Sequence, residues 1–115
     1  IMASCLFCDI VNNKIQSEKL IENDSIIAFE DINPQAPTHI LIIPKKHIST
    51  INDFNPNDSE LIGEMFLVAQ KLAKTENINS TGYRTVFNCN EDGGQTVYHI
   101  HLHLLGGRKL GWPPG

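Results

Sequence analysis

The chain has 115 residues, 41% of them hydrophobic, and a net charge of −4 with neutral histidine. That length suits one compact domain and not two. No basic patch stands out, which excludes a role built on gripping a nucleic-acid backbone with clustered Lys and Arg. No apolar run approaches the ~20 residues that span a membrane.

Met2 reads as the natural start, with residues 1–4 a short tail ahead of a single domain over 5–115. The N-terminus lacks a signal-peptide pattern. The cysteine number is odd (Cys5, Cys8 and Cys89), which suits a reducing compartment better than a disulfide framework. These features point to the cytoplasm.

The elements follow in chain order. Residues 5–13 are expected to form a short helix with Leu6, Phe7, Ile10 and Val11 as its apolar stripe. Ser25 to Glu30 reads as a strand carrying Ile26, Ile27 and Phe29. Asp31 to Pro37 holds two prolines and an Asn-Pro pair, so it is a loop. His39 to Ile43 is a continuous apolar run closed by Pro44, as expected of a central strand. Pro56-Asn57-Asp58-Ser59-Glu60 is a helix start with Asn57 or Asp58 as N-cap. The helix then turns Leu61, Ile62, Met65, Phe66, Val68, Ala69, Leu72 and Ala73 inward and ends near Asn77. Tyr83 to Cys89 reads as a strand, Asn90 to Thr96 as a turn-rich connection, and His99 to Leu105 as the last strand. Helix, two strands, one long helix and two strands predict an α+β fold with an antiparallel sheet. The long helix covers one sheet face, and the other face is left open to a ligand.

The last strand carries the strongest functional signal, His99-Ile100-His101-Leu102-His103-Leu104-Leu105. Strict alternation sends successive side chains to opposite faces. The three imidazoles then share one face, while Ile100, Leu102 and Leu104 enter the core. Same-face neighbours sit roughly 6.5–7 Å apart at a rise of ~3.3 Å per residue. Three histidines in five positions are poorly explained as an ordinary exposed face. A metal site made by these three alone is also poor, because they spread over ~13 Å along a straight strand. A binding or pH-sensing face is a third reading. The preferred one is nucleophilic and acid–base chemistry on a phosphate. A neutral imidazole attacks through one ring nitrogen while the other donates its proton to a fixed acceptor. His101, flanked on both sides, is the natural nucleophile.

Cys5-Leu6-Phe7-Cys8 is a CxxC pair, a frequent half of a zinc site that needs two further ligands. His39, His47 and the three strand histidines are the available imidazoles. A redox pair and two buried structural thiols are the alternatives. Cys89 reads as a core residue of its strand. Gly93-Gly94 could offer backbone N–H groups to an anion, although an ordinary turn is the simpler reading.

These residues carry a family resemblance. His99 to Leu105 resembles the HxHxHxx signature of the histidine triad (HIT) family. Asp31-Ile32-Asn33-Pro34-Gln35-Ala36-Pro37-Thr38-His39 and Ile43-Pro44-Lys45-Lys46-His47-Ile48-Ser49 are similar to segments of the same family. So are Asp92-Gly93-Gly94-Gln95-Thr96-Val97-Tyr98, Gly106-Gly107 and the Trp112-Pro113-Pro114-Gly115 ending, which fit its Hint branch. The resemblance covers nearly all of the chain from Cys5 onward. It implies a HIT-like, homodimeric α+β fold and attack at the α-phosphate of a purine nucleotide, with phosphoramidates or adenylated amines as substrates. Dinucleoside polyphosphate hydrolysis, as in the Fhit branch, is the alternative, and a nucleotide-binding module with vestigial activity is another.

Site residues are implied in the same way. His101 would form a nucleotidyl-histidine, His103 would meet the phosphate and leaving group, and His39 would help bind or polarise the phosphate. Thr96 stands where this branch usually has Ser and keeps the hydroxyl. Asp31 would accept from the ribose hydroxyls, Asn88 would lie on the phosphate side, and Gln95 is counted with the nucleotide-binding residues. Leu6, Phe7, Ile10, Phe29 and Ile32 would form the slot for the base. Bacterial-type members carry zinc on two N-terminal cysteines and two histidines. The matching set here is Cys5, Cys8, His47 and His99, a closed structural site. Members without the cysteines fold and work, so the resemblance makes zinc supportive. In this branch the segment with Trp112 reaches toward the partner subunit's active site; anchoring its own subunit is the alternative.

Overall fold

A computed structural model describes residues 5–115; the expected tail over residues 1–4 lies outside the described residues. The elements are α1 (Leu6–Val11), β1 (Ile21–Glu22), β2 (Ile26–Glu30), β3 (Thr38–Pro44), α2 (Ser59–Thr75), β4 (Tyr83–Val86) and β5 (Leu102–Gly106). The strands form one five-stranded antiparallel sheet in the order β1-β2-β3-β5-β4. β3 is the central strand, as its unbroken apolar run predicts, and it is buried on both faces.

Period-2 alternation sorts the sheet into two packed layers. Ile26, Ala28, Ile40, Ile42, Leu102 and Leu104 face α2 and meet Met65, Val68, Ala69, Leu72 and Ala73. Ile27, Phe29, Leu41 and Ile43 face the other way and pack against Phe7 and Ile10 of α1. That second layer partly covers the histidine face, which was expected to stay open to a ligand and keeps a cleft beside α1. Six residues of helix cover one end of that face, because Phe7 and Ile10 supply enough apolar surface to dock there.

Other boundaries also differ. β1 is a two-residue edge strand paired with β2, too short to carry a periodic signal. β4 ends at Val86, so Phe87, Asn88 and Cys89 run beyond the ladder. β5 begins at Leu102, which leaves His99, Ile100 and His101 off the regular pairing. Ile100 still donates its N–H to the Ile48 carbonyl at 2.8 Å and still buries its side chain in the α2 layer. Pro56–Asp58 form a 3₁₀ turn before α2, with Asn55 accepting from the Asn57 N–H. Asp58 precedes α2 without a side-chain cap and instead accepts from the Asn55 N–H and from Lys46 Nζ. On α2, Phe66 points outward, its ring edge-on to Phe87, and Leu61 and Ile62 are only part-buried.

The loop from Asp31 to Pro37 is fixed at both ends of the site. The Asp31 N–H reaches the His39 carbonyl at 3.0 Å, extending the β2–β3 pairing by one step. Arg108 Nη2 donates to the Gln35 carbonyl at 2.9 Å. Gly107 lies in the left-handed region at φ 91, where a Cβ would come within 2.8 Å of Pro37. Only glycine lets the chain turn there without pushing this loop away.

Candidate functional site

A cleft of about 320 Å³ opens between α1 and the sheet face of β3 and β5. Leu6, Phe7, Ile10, Phe29 and Ile32 all line it, with Asp31, Thr96, His101 and His103. Nine of the residues expected to act together are therefore brought to one place. Leu6 and Ile32 are exposed on its rim, and Phe7 and Phe29 are buried against each other at its floor. Ile15, Gln16, Ser17, Glu30, Leu41 and Val97 complete the wall. Leu41 could have been found from its alternation with His39 and Ile43. Ile15 to Ser17 lie in an irregular segment whose local sequence gives no cue.

Other expected residues stand apart from the cleft. Gln95 is buried and commits its whole amide to loop backbone. Its Nε2 donates to the Ser49 and Val97 carbonyls, and its Oε1 accepts from the Asn90 N–H. It braces the turn that delivers Thr96. Asn88 follows β4; continuing the β4–β5 register by two steps sets it opposite His101. His39 sits behind His103.

The hydrogen bonds assign a tautomer to each imidazole. The Gln35 N–H donates to His39 Nδ1 at 3.0 Å, so His39 carries its proton on Nε2. That Nε2–H faces His103 Nδ1 at 2.9 Å, so His103 accepts there and carries its own proton on Nε2. His103 Nε2 is buried and has no partner among the described residues. An orphaned buried donor in a cleft wall costs free energy unless a ligand oxygen meets it. His101 is set the opposite way. Its Nδ1–H donates to the His99 carbonyl at 2.8 Å, which leaves the Nε2 lone pair free. The site thus offers a nucleophilic lone pair beside a donor, with ring centroids 4.9 Å apart.

Burial holds these rings neutral. It lowers His101 below its ordinary 6.5, against the opposing pull of the His99 carbonyl and Asp31. Burial also brings His103 down to about 4, helped by His101 and His39. His39 is lowered by burial and partly restored by Asp31, whose Oδ2 lies 3.5 Å from His39 Nε2.

His99 is fully buried and turns away from the cleft. Its Nε2–H donates to the Pro44 carbonyl at 2.7 Å, so Nδ1 presents a lone pair. That lone pair faces Cys5 Sγ at 3.4 Å, Cys8 Sγ at 3.5 Å and His47 Nδ1 at 3.2 Å. Cys8 Sγ also lies 3.3 Å from His47 Nδ1. All four atoms lie within 4.8 Å of one another. Tetrahedral zinc, with ligands at ~2.0–2.3 Å, sets its ligand atoms about 3.3–3.8 Å apart. The four residues therefore fit a metal ion, with a carbonyl behind His99 fixing the ligand tautomer as such sites require. Burial and the neighbouring Cys5 raise the Cys8 thiol to about 11 in the protein alone. A bound cation reverses that tendency and holds the thiolate. Asp31, His39 and His103 are a second convergent group. There the proton on His39 Nε2 occupies the position a metal would need.

A cleft pairing an apolar slot with a free imidazole lone pair and an unpaired donor defines a phosphate-transfer or nucleotide-binding class of protein. Comparison with known proteins narrows this. A family model described as scavenger mRNA decapping enzyme C-term binding matches residues 4–110. A purine nucleoside phosphoramidase of Escherichia coli (strain K12) is 50% identical over 106 residues, covering 92% of this chain and 89% of that protein. The crystal structure of a HIT family hydrolase from Legionella pneumophila Philadelphia 1 superposes with a TM-score of 0.96 at 59% identity, over 97% of this chain and 100% of that one. A histidine triad protein from Clostridium difficile gives 0.90 at 42% identity, over 96% and 97%. The chain belongs to the histidine triad (HIT) family.

Proposed function

We propose that the protein hydrolyses the P–N bond of purine nucleoside 5′-phosphoramidates or adenylated amines through a nucleotidyl-histidine. The observation that carries this is the opposed tautomers of His101 and His103 in the cleft. The E. coli relative's activity supports it.

The purine lies in the slot of Leu6, Phe7, Ile10, Phe29 and Ile32, and Asp31 accepts from the ribose hydroxyls, which a carboxylate does well as an acceptor-only group. His101 Nε2 attacks the α-phosphorus while its Nδ1–H stays on the His99 carbonyl, which supports the positive charge left on the ring. His103 Nε2–H donates to the phosphoryl oxygen, so His39 acts on the phosphate through His103. The P–N bond breaks and the amine leaves with a proton passed from solvent through the exposed Thr96 hydroxyl. Water then attacks phosphorus, the P–Nε2 bond breaks, and the nucleoside monophosphate departs. Asn88 reaches the phosphate side from beyond β4, and Gln95 supports the site by holding the Thr96 turn.

Cys5, Cys8, His47 and His99 hold structural zinc, which when bound supplies a closed Cys₂His₂ anchor between α1 and the sheet. The chain works as a homodimer. Leu67, Tyr83 and Trp112 are among the large apolar groups exposed for such a contact, and sedimentation equilibrium giving only monomer would reject it. No helix among the described residues is long and apolar enough to cross a membrane, and a cytoplasmic location suits the free thiols.

The protonation states predict a pH profile. Attack needs neutral His101, and burial lowers its pKa below 6.5. A base of lowered pKa stays active to lower pH. The acid limb of kcat/KM, which reports the free enzyme, is therefore expected below pH 6.5. A limb centred above that value would contradict the assignment of His101 as the buried base.

A further inference from the structure

The cysteine–histidine cluster and the cleft share residues in a way that a simple staple would not need. His99 sends its ring into the cluster and its carbonyl to His101 Nδ1 at 2.8 Å. That bond is what leaves the attacking nitrogen unprotonated. The segment holding it, His99 to His101, lies before β5 and lacks ladder pairing. Its backbone is tied by one bond, from the Ile100 N–H to the Ile48 carbonyl. His47 and His99 each adjoin one end of that bond, so the cluster clamps both sides of it. A second route runs through α1. Cys5 and Cys8 bracket Phe7, whose ring stands edge-on to His99 at 5.9 Å and to His101 at 5.0 Å. The turn fixed by the two thiols therefore also packs the nucleophile.

We infer that the ion held by Cys5, Cys8, His47 and His99 aims the nucleophile, with His99 the positioning residue that sets the tautomer and ring orientation of His101. His47 Nδ1 and His99 Nδ1 lie 3.2 Å apart, a spacing that suits two ligands of one cation and that loss of the cation would relax. The cluster then opens, the His99 peptide turns, and His101 loses its fixed acceptor. The cluster is thereby a control on turnover as well as a staple. The kinetic half of this inference rests on the phosphoramidase reading; the tautomer half does not.

The test uses Cys5→Ser/Cys8→Ser in the full chain, beside wild type loaded with zinc and wild type stripped by a chelator. Five quantities are read: zinc per chain, thermal unfolding, kcat and KM on an adenosine 5′-phosphoramidate, and the ¹⁵N signature of the His101 tautomer. Loss of second-layer support for a site typically costs ~10–100-fold in activity. The stripped and variant proteins are expected to stay folded, to lose roughly tenfold or more in kcat on that scale, and to show mixed tautomers at His101. Zinc should restore wild type and leave the variant unchanged. If the double variant does not fold, His47→Asn carries the same comparison with α1 intact. Metal-free protein that keeps both its kcat and a single His101 tautomer would overturn the inference, as would wild type that takes up no zinc. Wild type that turns over no phosphoramidate, yet switches tautomer on losing zinc, would sink the activity reading and leave the positioning role standing.

Discussion

His101→Asn is expected to lower kcat on adenosine 5′-phosphoramidates by more than ~10⁴-fold, the scale seen when a catalytic nucleophile is removed. Asparagine fills much of the same space and its amide N–H can still reach the His99 carbonyl. It has no basic nitrogen to form a bond to phosphorus. The slot of Leu6, Phe7, Ile10 and Phe29, the Asp31 carboxylate and the His103 Nε2–H are all untouched. Binding of AMP, measured by calorimetry, should therefore stay within a few-fold of wild type. A variant that turns over at a tenth of the wild-type rate would place the nucleophile elsewhere. A variant that loses AMP binding as well would mean that His101 holds the nucleotide and does not attack it.

The largest effect on stability is expected at Ile42→Ala. Ile42 lies in the middle of β3, paired with Ala28 on one side and Leu102 on the other, and its side chain is fully buried in the α2 layer. Large-to-small changes at such sites cost about 2–5 kcal/mol, because the cavity only partly collapses. Domains of this size hold only about 5–15 kcal/mol in total. Thermal unfolding should fall by on the order of 10 °C or more, measured by calorimetry on protein of equal metal content. A fall of one or two degrees would mean that the layer between α2 and the sheet can close around the lost methyl groups. The opposite face of β3 carries His39 and Leu41, so the variant also asks whether damage behind the sheet reaches the cleft.

Much of this architecture was legible in the sequence because its signals are periodic. The alternation of Ile100, Leu102 and Leu104 placed those residues in the core, and the apolar stripe of α2 placed Met65, Val68, Ala69, Leu72 and Ala73 there too. The shared face of the histidines was readable from the same alternation. Their different employment came only with the family resemblance, since alternation alone cannot show partners distant in sequence. His99 leaves the cleft for Cys5 and Cys8, while His103 takes its tautomer from His39. The Gln35 N–H that begins this chain of tautomers is a backbone group, invisible to any reading of side chains. α1 was expected as a helix, but its docking over the sheet depends on Phe7 and Ile10 meeting Phe29 and Leu41 in three dimensions. Boundaries failed where side chains replaced the ladder. His99 to His101 look like strand because they alternate, yet their backbone is held by a ring-to-carbonyl bond and by Ile48. Gln95, counted with the nucleotide-binding residues, uses its buried amide to satisfy three backbone groups, which no local pattern announces.

In the proposed mechanism phosphorus is passed to His101 Nε2 before it is passed to water. The most direct test of this order is the configuration at phosphorus, which does not require the intermediate to accumulate. A phosphorothioate analogue of an adenosine 5′-phosphoramidate, of known configuration, is hydrolysed in ¹⁸O-labelled water and the product's configuration is read by ³¹P NMR. Two in-line displacements each invert the centre, so overall retention is expected. Overall inversion would mean that water attacks the substrate directly, and that the free lone pair of His101 serves as a base or a binding group instead.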